Sequence, residues 1–156
     1  MKMAFAITLI PAISAAVERK EYKAAKKKIK FSLLSSFIIG VTCSLTLYLF
    51  SDLILKVLFP KASAGANMLK LSSWSIIFVV LTQTITGVIQ GLGKYKTMLF
   101  SLSIGCIIKL ILNIILLKIE KIGIYGAIIA TLASQIIVCA LNIMYLTKYI
   151  RKDLRA

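Results

Sequence analysis

Four stretches of this chain run for more than twenty residues without a carboxylate and, with one exception, without a cation. Phe31–Ser51 has 21 uncharged residues, Leu71–Gly93 has 23, and Ile122–Thr147 has 26. Thr97–Leu117 has 21, interrupted only by Lys109. About 20 apolar residues at a rise of about 1.5 Å cross the hydrocarbon core of a bilayer as a helix. Membrane strands are shorter and alternate with period 2, which none of these blocks does. The blocks therefore predict an all-α, polytopic transmembrane helix bundle with spans at about 31–51, 70–93, 97–117 and 122–147.

Composition closes the soluble alternative. Hydrophobic residues make up 60% of the 156, at a mean hydropathy of +0.94. A soluble domain averages about 45–50% apolar residues, and one core of this size cannot hide the excess. The net charge of +15, from 20 Lys and Arg against 5 Asp and Glu, suits either nucleic acid or a membrane surface. Position decides between them. The cations fall between the blocks rather than along a soluble face, so membrane lipids are the expected partner and nucleic acid is not.

The cations also give a direction. Seven lie in the basic loop 18–30 (Arg19, Lys20, Lys23, Lys26, Lys27, Lys28, Lys30), two in the 94–96 turn, and four in the tail from Lys148. The intervening loops hold Lys56, Lys61, Lys70, Lys118 and Lys121. Thirteen cations against five place the first loop and the tail in the cytoplasm of a multi-pass protein of the plasma or inner membrane.

The start of the chain reads in two ways. Met3–Val17 is uncharged for 15 residues but broken by Pro11. With Lys2 before it and Ser14, Ala15 and Ala16 at its end, it has the outline of a signal peptide. It also reads as the inner half of a helix whose outer half is missing. The second reading agrees with the charges, because cleavage would put the seven-cation loop outside. Between Asp52 and Lys70, the apolar run Leu53–Phe59 before Pro60 reads as an extension of the first span to the outer interface.

Nothing here outlines an enzyme or a metal or cofactor site. His is absent, and Cys43, Cys106 and Cys139 sit far apart inside apolar blocks, as small packing residues do. Asp52 and Asp153 lie in a loop and in the tail, and no nucleophile has a base beside it.

Polar and small residues within the blocks form stripes. Ser32, Ser36, Gly40 and Ser44 recur every four residues in the first span. The second carries Gln83, Gly87, Gln90 and Gly91, flanked by Thr82 and Thr86; Gly87 and Gly91 form a GxxxG pair. The fourth has Gly123, Ala127, Thr131, Gln135 and Cys139, with Gly126, Ala130 and Ser134 on an adjoining face. Glycines at such spacing let helix backbones approach closely, so Gly87, Gly91, Gly105, Gly123 and Gly126 are expected in helix packing. Gln83, Gln90 and Gln135 suit either a cavity wall or interhelical bonds.

The third span constrains function most. Gly105, Lys109 and Asn113 share one face of about 80°. Lys109 lies roughly 20 Å from Lys96 and roughly 14 Å from Lys118 along the helix, beyond the full reach of a snorkelling stem. A lysine in the membrane interior costs about 2.5–3.5 kcal/mol on insertion scales. It therefore faces a water-filled cavity, an anionic ligand or a polar bond within the bundle. Lys109, Asn113, Gln83, Gln90 and Gln135 are the candidate substrate-cavity residues.

Several segments together resemble one superfamily. Leu9–Ala16 (LIPAISAA) resembles the LIPAISEA end of a helix in multidrug/oligosaccharidyl-lipid/polysaccharide exporters, the MATE-like transporters. Gln90–Lys94 resembles their QGLGK, Lys109–Asn113 (KLILN) their KLILN, and Gly123–Thr131 (GIYGAIIAT) their GIxGAAIAT. The order and spacing are similar too, and the likeness is greatest to the stage V sporulation protein B branch with its polysaccharide-biosynthesis C-terminal region. The resemblance implies a two-lobe transporter of about twelve to fourteen helices with alternating access. This chain would then be a fragment, part of the second lobe, partnered by the remaining helices. It further implies a flippase for an anionic lipid-linked saccharide or peptidoglycan precursor in envelope or spore cortex assembly. A drug/cation antiporter of the same superfamily is the second reading, weakened by the lack of Asp or Glu in the four blocks. A small structural membrane protein is the third.

Overall fold

The computed structural model describes residues 13–58, 65–119 and 125–153. Residues 13–18 are helical, and five helices follow: α1 (Tyr22–Leu49), α2 (Ser51–Leu58), α3 (Ala66–Gly91), α4 (Tyr95–Leu117) and α5 (Tyr125–Asp153). No strand occurs among the described residues. Four of the helices, α1, α3, α4 and α5, are long and apolar enough to cross a membrane, so the chain is the all-α polytopic bundle expected. Residues 1–12, with Pro11 and most of the expected partial helix, lie outside the described residues, as do Pro60 and Lys61, Gly123, and Arg155.

Two expectations are corrected. The basic segment 18–30 is not a loop, because α1 already begins at Tyr22. Alanine and lysine are strong helix formers, so the helix runs on past its apolar block. The chain reverses at 19–21 instead. Lys20 adopts φ 57°, its N–H donates to Val17 O, and the Glu21 N–H donates to Ala16 O at 2.9 Å. This 6→1 and 5→2 pairing is a Schellman motif. The α3–α4 turn repeats it: Gly93 at φ 72° donates to Gln90 O, and Lys94 donates to Ile89 O at 3.1 Å. The second correction concerns residues 51–58, which do not extend α1. The helix breaks at Phe50, and α2 packs separately against α3. An ion pair between Lys70 Nζ and Asp52 Oδ2 at 2.8 Å closes that corner and holds the Asp52 carboxyl below its ordinary pKa.

The helices pack in the order α1, α3, α5, α4, with α3 and α5 central; α4 touches α3 only sparsely. Small residues set the spacing. The α1 stripe Ala25, Ile29, Ser32, Ser36, Gly40 and Ser44 is buried, and a Cβ on Gly40 would stand 3.3 Å from the Ile77 backbone. Ser36 and Thr84 share a hydroxyl hydrogen bond of 2.6 Å across the same seam. Water drives no association inside a bilayer, so dispersion between closely spaced backbones and interhelical hydrogen bonds hold such seams. Ile13, Ala16, Ile85, Val88, Ile89 and Leu146 join Ala25 and Ile29 in a core beside the two Schellman turns. Those turns and the end of α5 form one end of the bundle, and they carry most of the cations.

Candidate functional site

α4 and α5 run antiparallel in a register fixed by three contacts. Ser101 Oγ donates to Asn142 Oδ1. A Cβ on Gly105 would collide with a γ-methyl of Val138. One on Gly126 would lie 3.0 Å from Leu116. Continuing the register puts Ser134 and Gln135 at the height of Lys109, with Ala130 opposite Asn113. α3 and α5 run parallel, linked by the hydrogen bond from Asn142 Nδ2 to Thr86 Oγ1 at 3.3 Å; Gln83 then lies about a turn nearer the basic end than Lys109.

Lys109 and Gln135 thus share a level in the half of the bundle away from the basic end, and Asn113 lies about one turn further from that end. Lys109, Asn113 and Gln135 are all half-buried. Lys109 stands about 21 Å from the start of α4 and about 12 Å from its end, at the margin of the face that meets α5, and has no ion pair among the described residues. The Oδ1 of Asn113 is buried without a hydrogen-bond partner there. α1, α3 and α4 contain no Asp or Glu, and α5 has only Asp153 at its end. A cation at this depth therefore has no carboxylate of these helices to neutralise it.

The structure does not gather the other two. Gln83 is exposed on the outside of α3. Gln90 sits near the α3–α4 turn, its Nε2 2.8 Å from Met98 Sδ, and so ties neighbouring helices. Of the glycines expected in packing, Gly105 and Gly126 face a neighbouring helix at a distance that leaves no room for a Cβ. Gly87, Gly91, Gly105 and Gly126 are buried. Ser14 Oγ donates to Gly91 O at 2.9 Å, seating residues 13–18 against the GxxxG face. Of the cysteines, Cys139 is buried and Cys43 half-buried, whereas Cys106 is exposed.

Sequence reasoning missed the polar tie at the centre of the bundle. Asn142 is fully buried and joins α3 to α4 through Thr86 and Ser101. Below it, the Thr97 and Tyr149 hydroxyls lie 2.6 Å apart, and Lys94 Nζ sits 5.6 Å from the centre of the Tyr149 ring. The available signal was a lone Asn in the apolar run of α5, about two helical turns before the charged tail that starts at Lys148.

Comparison with known proteins adds the family. The sequence model of the MatE family matches residues 1–115. The uncharacterised membrane protein YabM of Bacillus subtilis is 34% identical over 144 residues, covering 92% of this chain and 26% of that protein. The lipid II flippase MurJ of Bacillus subtilis is 30% identical over 137 residues, covering 85% and 25%. An uncharacterised membrane protein of Methanocaldococcus jannaschii is 29% identical over 141 residues, covering 90% and 27%. The chain spans about a quarter of the length of these curated relatives. No solved structure gives a significant match.

Proposed function

The chain belongs to the MatE family, and on that premise we propose that it is part of a transporter that flips an anionic lipid-linked saccharide, such as a peptidoglycan precursor, across the plasma membrane. The reading is supported most by Lys109, an intramembrane cation without a carboxylate at its depth. The phosphates of a lipid-linked saccharide supply the opposite charge, and Coulomb attraction is strong where water is sparse. Gln135 at the level of Lys109, and Asn113 about one turn away, offer amides to a saccharide or a phosphate. The similarity to the lipid II flippase MurJ supports the same substrate class. Work together with further helices of a two-lobe transporter belongs to the proposal. Cation exchange is the weaker reading, because the spans hold no acidic residue to exchange a cation for a proton.

Lys109→Gln tests it by keeping length and polarity while removing charge. In proteoliposomes holding the complete transporter, flipping of a lipid-linked pyrophosphate saccharide is expected to fall at least tenfold with protein abundance unchanged. Lys109→Arg is expected to retain part of the activity, since the charge is what the phosphate meets. Normal transport by Lys109→Gln overturns the proposal. A joint loss of abundance and transport assigns Lys109 to helix packing instead.

A further inference from the structure

The first two and a half turns of α1 hold five lysines, Lys23, Lys26, Lys27, Lys28 and Lys30, all exposed. At about 100° per residue, four of them, Lys23, Lys26, Lys27 and Lys30, fall within about 100° of arc. The buried stripe that packs on α3 runs roughly 140° away from them. The lysine arc continues directly into the outward apolar line of the same helix: Leu34 is 56% exposed, Phe37 48% and Ile38 56%. The exposed apolar face further along α1 is therefore the face that carries cations at its head. Along the axis the four lysines stand about 2–12 Å beyond Phe31, and the headgroup layer is about 5–8 Å thick on each side of the hydrocarbon core. Flexible lysine stems bring all four ammonium groups to that layer.

Helix energetics point the same way. Cations at a helix N-terminus oppose the macrodipole. α1 has no acidic residue in its first turn and no side-chain cap. Glu21 stands at the N-cap but makes no side-chain cap hydrogen bond, so anions from outside the chain, beside the exposed apolar line, would offset that cost further.

We propose that Lys23, Lys26, Lys27 and Lys30 form a docking site for the phosphate headgroups of anionic phospholipid in the leaflet that borders the head of α1. The site is independent of the transported substrate and of which leaflet this is. Charge complementarity and the shared lipid-facing line select phospholipid over a soluble polyanion, which would have to approach through the headgroups.

The test uses the full chain in nanodiscs of phosphatidylcholine containing a small fraction of spin-labelled phosphatidylglycerol or spin-labelled phosphatidylcholine. The motionally restricted fraction of each label gives a relative association constant. Phosphatidylglycerol is expected to associate about fivefold more strongly, in line with a polybasic juxtamembrane segment. The preference is expected to vanish in the Lys23→Gln, Lys26→Gln, Lys27→Gln, Lys30→Gln variant and to persist when the same four residues become Arg. Neutralising Lys94, Lys96, Lys148 and Arg151 together is expected to leave most of it. Three results overturn the proposal: no preference in the wild type, equal loss in both neutralised variants, or binding of a soluble RNA by the detergent-solubilised chain that needs the same lysines.

Discussion

Lys20 and Gly93 occupy the same position in two equivalent turns, yet only one of them suits it. Both sit at the left-handed residue of a Schellman motif, at φ 57° and 72°. That conformation costs an L-residue with a Cβ about 1–2 kcal/mol, and glycine almost nothing. Lys20→Gly is therefore expected to stabilise the chain by about 1 kcal/mol in mild-detergent unfolding measurements, whereas Gly93→Lys is expected to destabilise it by a similar amount. Equal effects of opposite sign are the signature of backbone strain, since a lost Lys20 contact would make the first change unfavourable. The Gly93 turn was legible in the sequence, because a glycine followed by Lys94 closes an apolar block. The Lys20 turn was not, because lysine carries no left-handed preference and sits among other lysines. Asn142 was illegible for a related reason. One amide in an apolar run says nothing of its partners until the fold brings Thr86 and Ser101 beside it.

At the level of elements, span number and helix type could be read directly, because the uncharged blocks are written at membrane length. The ends could not: α1 starts nine residues before its apolar block at Phe31, since helix propensity does not stop where apolarity does. Pairing was also hidden, because every stripe of small residues looks alike before a partner is known. Gly105 shows what the pairing demands. It faces Val138, whose branched side chain is stiff in a helix, and an added methyl at position 105 would collide with it. Gly105→Ala is expected to lower stability by about 1–3 kcal/mol through overpacking. In a Val138→Ala background the same change is expected to cost little, and the double-mutant cycle gives the coupling of the two sites. A full cost in both backgrounds would mean that α4 and α5 do not meet at this pair. The same register carries Lys109 to the level of Gln135, so the cycle also checks the geometry on which the candidate site rests.

Across the whole molecule, the outer helices carry the most apolar surface. α4 meets α5 along one line and leaves Ile107, Leu110, Ile111, Ile114 and Ile115 at least half exposed, as expected of faces that meet lipid or further helices. Charge orders the other axis. Among the described residues, the two Schellman turns and the end of α5 share one end, which collects most of the cations, against Lys56, Lys70 and Lys118 at the opposite end. Translocation across the membrane is harder for short cationic segments, so the richer end is expected on the cytoplasmic side. Single-cysteine labelling checks this in intact cells, with Cys43, Cys106 and Cys139 first replaced by alanine. Glu21, at the N-cap of α1, is exposed, and Val57 of α2 is 71% exposed at the other end. A membrane-impermeant maleimide is expected to modify Val57→Cys at once, and Glu21→Cys only after the cells are permeabilised. The reverse pattern would place the seven-cation segment outside and overturn the orientation. It would also put Lys109, which is nearer the far end of α4, closer to the cytoplasmic surface. An anionic substrate entering from the cytoplasm would then meet Lys109 early in its passage rather than late.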